Sequence, residues 1–156
     1  MEFIIRQMTE GDVGTIAQTF EHWNKRREQY ERYRNENQEG KRITLVAVCG
    51  EQILGYTNII WEPDYEPFRE AGIPEINDLN VVTEFQKQGI GTALIQEAER
   101  IALENGKDVM GIGFGLTDDY GAAQRLYPKL GYVPDSRGVH STQWGDEIYL
   151  TKQLRK

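Results

Sequence analysis

The run Gln86-Lys87-Gln88-Gly89-Ile90-Gly91 has the residue types to hold a phosphate. It follows an apolar, extended segment, Leu79 to Val82, and opens a strongly periodic helical segment. Gly89 and Gly91 lack Cβ atoms, so the backbone there can tighten and approach a ligand closely. The first N–H groups of the following helix have no intrahelical partners. Together with the helix dipole and the turn amides they form an anion cradle. Lys87 adds positive charge nearby. An ordinary strand–helix turn with two incidental glycines has the same local sequence. The spacing excludes two commoner phosphate motifs. A Walker A loop ends in Gly-Lys-Ser/Thr, whereas Thr92 and Ala93 follow Gly91. The dinucleotide fingerprint needs three glycines and an acid after the next strand.

A second segment suits a cation. Residues 62 to 84 hold seven acids, Glu62, Asp64, Glu66, Glu70, Glu75, Asp78 and Glu84, against the single base Arg69. Trp61, Tyr65 and Phe68 interleave with them. Aromatic faces beside carboxylates attract an ammonium group through cation–π and ionic contact. A solvated acidic loop with a few packing anchors is the other reading.

The chain's 156 residues suffice for one domain with a real core. Its net charge of −7 argues against a non-specific nucleic-acid binder and leaves cationic small molecules or basic peptides open. Cys49 is the only cysteine and lies in an apolar run, which predicts buried filler rather than a nucleophile. His22 and His140 are far apart, with no ligand spacing around them, so no metal is expected, and His140 reads as a surface residue. Apolar runs are too short to span a bilayer and nothing reads as a signal peptide, so no membrane partner is expected and cytoplasm is the expected location.

Periodicity sets the elements that must position these residues. A short strand, Glu2 to Arg6, precedes Thr9 and Asp12, which resemble a capping box with a shortened acid. A helix is predicted over 10–23 and a second, largely exposed one over 24–39. Strands follow at Ile43–Val48 and Ile53–Trp61, then a loop over 62–72 with room for a helical turn, and a strand at Glu75–Val82. A helix over 88–105 carries Ile90, Leu94, Ala98 and Ile101 on one face. Val109–Phe114 reads as a strand interrupted by Gly111 and Gly113, and Ala122–Leu130 as a short helix that Pro128 should kink or tighten. Residues 134–146 read as loop and Glu147–Lys152 as a final strand. The layout is an α/β (α+β) single domain over residues 1–156.

Two separated motifs are similar to those of the GCN5-related N-acetyltransferase superfamily. The first is Leu79 to Gly91, which resembles the family's Gln/Arg-x-x-Gly-x-Gly/Ala turn and the strand before it. The second is Ala123-Gln124-Arg125-Leu126-Tyr127-Pro128-Lys129-Leu130-Gly131-Tyr132, which resembles the family's Ala-x-x-Leu-Tyr-x-Lys-x-Gly-Phe/Tyr helix and turn. The resemblance spans essentially the whole chain, in layout more than in sequence over the first 70 residues. It implies a mixed, mostly antiparallel central sheet with helices on both faces and a splayed central strand pair.

The resemblance also implies acetyl-CoA as donor, with no metal. The backbone of Gln88, Gly89, Ile90, Gly91 and Thr92 would hold the pyrophosphate, with Gln86 and Lys87 nearby. Main-chain groups of Leu79, Val81 and Val82 would hold the pantetheine arm. Many members have Asn where Tyr120 stands, and its amide contacts that arm. Here Tyr120 replaces it, so that contact is lost unless Asp118 or Asp119 takes it over. Thr83 stands where many members have Pro. Tyr127 matches the family's general acid. Glu75 stands eleven residues before Gln86, the offset of the glutamate base in histone-acetylating members. On a regular strand Glu75 shares a face with Leu79 and Val81 while Asp78 points away, and a bulge would break that parity. Trp61, Tyr65, Phe68 and Asp78 would bind the acceptor, with Trp23, Tyr30 and Tyr33 adding walls. The implied activity is acetyl transfer to a primary amine of a small cationic molecule, aminoglycoside-like or polyamine-like. A protein or peptide acceptor, or a non-catalytic acyl-CoA-binding module, are the alternatives. Members often pair through their C-terminal strands, so a homodimer is compatible with the resemblance.

Overall fold

A computed structural model describes residues 2–23 and 25–155. Seven strands form one sheet in the order β1-β2-β3-β4-β5-β7-β6. These are β1 (Ile4–Gln7), β2 (Arg42–Cys49), β3 (Gln52–Ile60), β4 (Glu75–Val81), β5 (Val109–Gly115), β6 (Val133–Thr142) and β7 (Gly145–Gln153). Every neighbouring pair is antiparallel except β4 and β5, which run parallel. On one face α4 (Ile90–Glu104) and α5 (Gly121–Lys129) cover Leu45, Ala47, Leu54, Ile59, Ile76, Met110, Ile112 and Leu150. On the other, α1 (Asp12–Thr19) and α2 (Arg27–Gln38) cover Val46, Val48, Ile53 and Tyr56. The expected mixed sheet with helices on both faces is present.

Local chemistry accounts for the element ends. The Asp12 carboxylate accepts from the Thr9 amide at 2.7 Å and from both Arg6 guanidinium nitrogens at 2.7 and 3.0 Å. The capping box is therefore half formed, with the acid reaching back and Arg6 closing it. Gly106 and Gly131, at φ +78° and +99°, end α4 and α5 in the left-handed conformation. Pro128 lies in the last turn of α5, and the helix runs on through it to Lys129.

Two expectations are corrected. Residues 134–146 are not loop: β6 spans most of them, pairing with β7 on both sides of an irregular stretch where Ser136 and Gly138 take positive φ. That irregularity erases the period-two pattern that marks a strand. Cys49 is exposed, because it ends β2 beside the turning Gly50. The helical turn allowed for in the 62–72 loop is present as a short helix, α3 (Glu66–Ala71).

β5 has an unusual division of labour. Met110, Ile112 and Phe114 face the α4–α5 side, where Met110 and Ile112 are fully buried. Gly111, Gly113 and Gly115 alternate with them and lie beneath rings. A Cβ on Gly111 would overlap the Phe68 ring, one on Gly115 the Tyr120 ring, and one on Gly113 would sit 3.0 Å from the Tyr149 ring. Gly111→Ala should therefore overpack this layer. Such insertions cost about 1–3 kcal/mol, which for a chain of this size lowers the melting temperature by about 3–10 °C. A thermal melt within 1 °C of wild type would show that Phe68 moves aside freely.

Candidate active site

The parallel pair β4–β5 is joined at only two positions, Glu75↔Gly111 and Ile76↔Ile112. Beyond them the strands diverge, leaving a gap whose sides are Asn77 to Val81 and Gly113 to Gly115. This is the splayed pair that the family resemblance implies. A cavity of about 1940 Å³ occupies the gap and extends out of both faces of the sheet.

At one end is the glycine turn. Lys87 and Gly89 both have positive φ, +64° and +85°, so the peptide planes between them alternate and turn their amides toward one side. The first turn of α4 follows directly. A Cβ on Gly89 would meet nothing within 4 Å, so the residue is demanded by its φ, with open space beside it. Gly91 is different: it lies within α4, and a Cβ would make ordinary contacts of 3.7–3.9 Å with Leu126, Leu79 and Val81. Both glycines line the cavity, and only Gly89 has a backbone conformation that favours glycine. Gln86, Lys87, Gly89, Ile90, Gly91 and Thr92 line the cavity with Leu79, Val81, Asp119 and Tyr120, while Gln88 and Val82 lie outside its wall. The Gln86 side chain donates to the Val81 carbonyl at 3.1 Å, tying turn to strand.

Midway stands Tyr127, on the inward face of α5 and 5% exposed. It touches both the core and the cavity. Burial, with smaller effects from Asp78 and Tyr120, pushes its phenol well above the ordinary value, so it stays protonated.

The far end is acidic and aromatic. Glu75 is 8% exposed yet reaches the cavity. Burial pushes its carboxyl up to about 7; Glu147 and Asp64 push the same way, against one weak hydrogen bond from Asn77 Nδ2 at 3.3 Å. Tyr65 stacks on Tyr149 with centroids 3.7 Å apart and donates to Asp135 at 2.6 Å. His140 lies 3.2 Å from the Tyr65 hydroxyl and lines the cavity, contrary to the expected surface position. Its strand, β6, was not evident in the sequence.

Asp78 departs from a regular strand in the way a bulge requires. Asn58 pairs with Asn77 and Tyr56 with Asn80, so Asp78 and Leu79 together oppose Thr57. Asp78 takes φ +56°. Its carboxylate thus turns to the α2 side, where it accepts from Lys25 (3.1 Å), Gln29 (3.3 Å), Tyr33 (2.7 Å), Tyr56 (2.9 Å) and Asn80 (2.7 Å). Burial alone would raise its pKa, but the Lys25 charge and the Tyr33, Tyr56 and Asn80 donors hold it below the ordinary range. Leu79 and Val81 pack into the opposite core, so they do not share a face with Glu75. Asp78 is a saturated carboxylate that organises the wall rather than a free one. Phe68 is likewise under the floor, 2% exposed beneath Tyr65 and Tyr149. Trp23, Tyr33 and Trp61 line the cavity, whereas Tyr30 is fully buried with its hydroxyl on Tyr56.

Residues 12–132 match the family model described as the Acetyltransferase (GNAT) family. The chain belongs to the GNAT family. Solved structures agree on the fold. A putative acetyltransferase from Salmonella typhimurium, yncA, determined with acetyl-CoA, is 23% identical, with 99% of this chain and 95% of that one covered and a TM-score of 0.73. An N-acetyltransferase from Staphylococcus aureus Mu50 is 14% identical over 99% of this chain and all of that one, with a TM-score of 0.78. An aminoglycoside 6'-N-acetyltransferase complexed with coenzyme A is 19% identical over 98% of each chain, with a TM-score of 0.71. In this GNAT chain the turn, the gap, Tyr127 and Glu75 line one continuous cavity.

Proposed function

We propose that this chain transfers the acetyl group of acetyl-CoA to a primary amine of a small cationic molecule. The observation that carries the reading is the single cavity running from the Gly89 turn past Tyr127 to Glu75. The cradle fits a pyrophosphate, since Gly89 leaves open space beside it and the amides of Gly89 to Thr92 open a helix. Coenzyme A would supply an acetyl thioester in the gap. The residues then divide the work. Glu75, poised near neutrality, takes the proton of the incoming ammonium so that its nitrogen lone pair is free. The N–C bond forms as the C–S bond breaks, the Tyr127 hydroxyl passes its proton to the departing sulfur, and the surplus proton on the new amide nitrogen restores the phenol. Tyr65, Tyr149 and Trp61 present ring faces and Glu147 and Asp64 negative charge near Glu75, which suits a cationic acceptor. The complex of an aminoglycoside acetyltransferase with the same fold supports such an amine.

Thiol release from acetyl-CoA across a panel of aminoglycosides, polyamines and amino-terminal peptides tests the reading. Turnover of free amines is expected. No turnover of any amine by protein shown to bind coenzyme A would overturn it, and a mass shift on peptides alone would move the acceptor to protein. Gly89→Val checks the donor end. A β-branched residue at φ +85° is strained and redirects the cradle amides. Calorimetry should show coenzyme A affinity lower by about 10–100-fold, which corresponds to about 1.4–2.8 kcal/mol, with the fold retained. Unchanged affinity would remove the turn from the site.

A further inference from the structure

The same cavity has a wall of opposite character. Arg32, Lys41 and Arg42 line it together with Tyr33, Glu36 and Trp61. Arg42 opens β2, and the register places Arg42, Ile60 and Glu75 side by side across three strands. Strands lie about 4.8 Å apart, so the Arg42 and Glu75 backbones are roughly 10 Å apart in one row. Arg42 is 6% exposed, its guanidinium carbon lies 4.1 Å from the Tyr33 ring centroid, and its Nε donates to Glu36 at 3.1 Å. Its Nη1 is buried with no hydrogen-bond partner. Folded proteins rarely leave a guanidinium N–H in that state, because the desolvation is uncompensated. Glu36 is shared between Arg42 and Arg32, at 3.1 and 3.6 Å, and Lys41 has Glu39 at 2.9 Å. Glu62, next to Trp61, also lines the cavity, so the wall is balanced in charge and its distinguishing feature is the unpartnered Arg42 N–H.

We propose that this wall seats a carboxylate carried by the acceptor, so that the acceptor is an amino acid: its amine at Glu75, its carboxylate at Arg42. The assignment rests on the acetyl-transfer reading for the amine end and deepens it. A planar guanidinium with a free N–H suits a carboxylate oxygen, and Trp61, in the same wall, offers a ring to the chain between the two charges.

Matched pairs that differ only by the carboxylate test it: lysine with cadaverine, ornithine with putrescine, phenylalanine with phenethylamine. Each is titrated calorimetrically into the coenzyme A-loaded protein and assayed with acetyl-CoA. In the pair that fits the cavity, the amino acid should bind at least 10-fold tighter, with the difference in KM. Arg42→Met should bring that member to within about twofold of its amine and leave coenzyme A affinity unchanged. Arg42→Lys, which keeps the charge, should fall between. Equal binding within every pair, no binding by any member, or an Arg42→Met loss shared by both members would overturn the proposal. A fall in coenzyme A affinity itself would assign the wall to the donor and also overturn it. Should Arg42→Met fail to fold, the wild-type pairs still decide. Carboxylate-dependent binding without thiol release would sink acetyl transfer and leave the anion seat standing.

Discussion

Glu75→Gln should lower kcat by about 10²–10⁴-fold, the range general-base catalysis contributes, with coenzyme A affinity unchanged. The amide is nearly isosteric and fills the same space beside Asn77 and Tyr149, so only the proton acceptor is lost. The pH profile separates this from a packing defect. Wild-type kcat should rise through a limb near pH 7, where burial has placed the carboxyl, and the variant should lack that limb. The stability effect has the opposite sign to the activity effect. Glu75 is raised above its unfolded value, so the folded state pays for ionising it as pH rises from about 4.5 to 7 and beyond. Glu75→Gln should thus melt higher than wild type at pH 8 and show no such advantage at pH 4. A variant both slower and more stable at pH 8 marks a residue held in place for chemistry. A variant with wild-type kcat, or one whose acid limb persists, would strip Glu75 of the base role.

Tyr127→Phe should reduce kcat by about 100-fold, at the lower end for one proton donor, and leave coenzyme A binding within about twofold. The ring is packed between Phe114 and Tyr132, at centroid distances of 6.1 and 6.4 Å, so the phenylalanine keeps the core contacts. The loss should depend on the leaving group. A donor thioester with a more acidic thiol needs less proton assistance and should recover much of the rate. If the variant turns over normally, Tyr127 is a core residue and Tyr120, the other phenol in the gap, becomes the acid to test.

Much of this site could be read in the residues before their arrangement was known. The Gln86–Gly91 turn is local: the left-handed residue, the helix start and the preceding strand are all contiguous. The position of Tyr127 follows from helical spacing against Leu126 and Leu130. What escaped the sequence is long-range. The Asp78 bulge depends on Thr57 facing two residues, and the opposing strand lies twenty residues away. The carboxylate consequently reads as pointing away from Glu75, although both open onto the same cavity. Arg42 lies one residue before the strand predicted at Ile43–Val48, and only the β2–β3–β4 register brings it into line with Glu75. His140 and β6 were hidden by the positive-φ residues Ser136 and Gly138, which break the alternation. Gly111 and Gly113 of β5 looked like interruptions of a strand, and Gly115 lay beyond its predicted end. They are its second face, at a period of two, with the side chains supplied from elsewhere.

On the proposed function, that last arrangement separates the donor end from acceptor recognition. β5 contributes no side chain to this face. The surface there is made of rings from three unconnected stretches of chain: Phe68 and Tyr65 around α3, Tyr149 on β7, and Tyr120 ahead of α5. A replacement at Phe68, Tyr65 or Tyr149 reshapes the floor while the strand, the gap and the Gly89 turn keep their geometry. The proposed preference for one amine over another is thus free to change by single steps at those rings, with the donor end untouched.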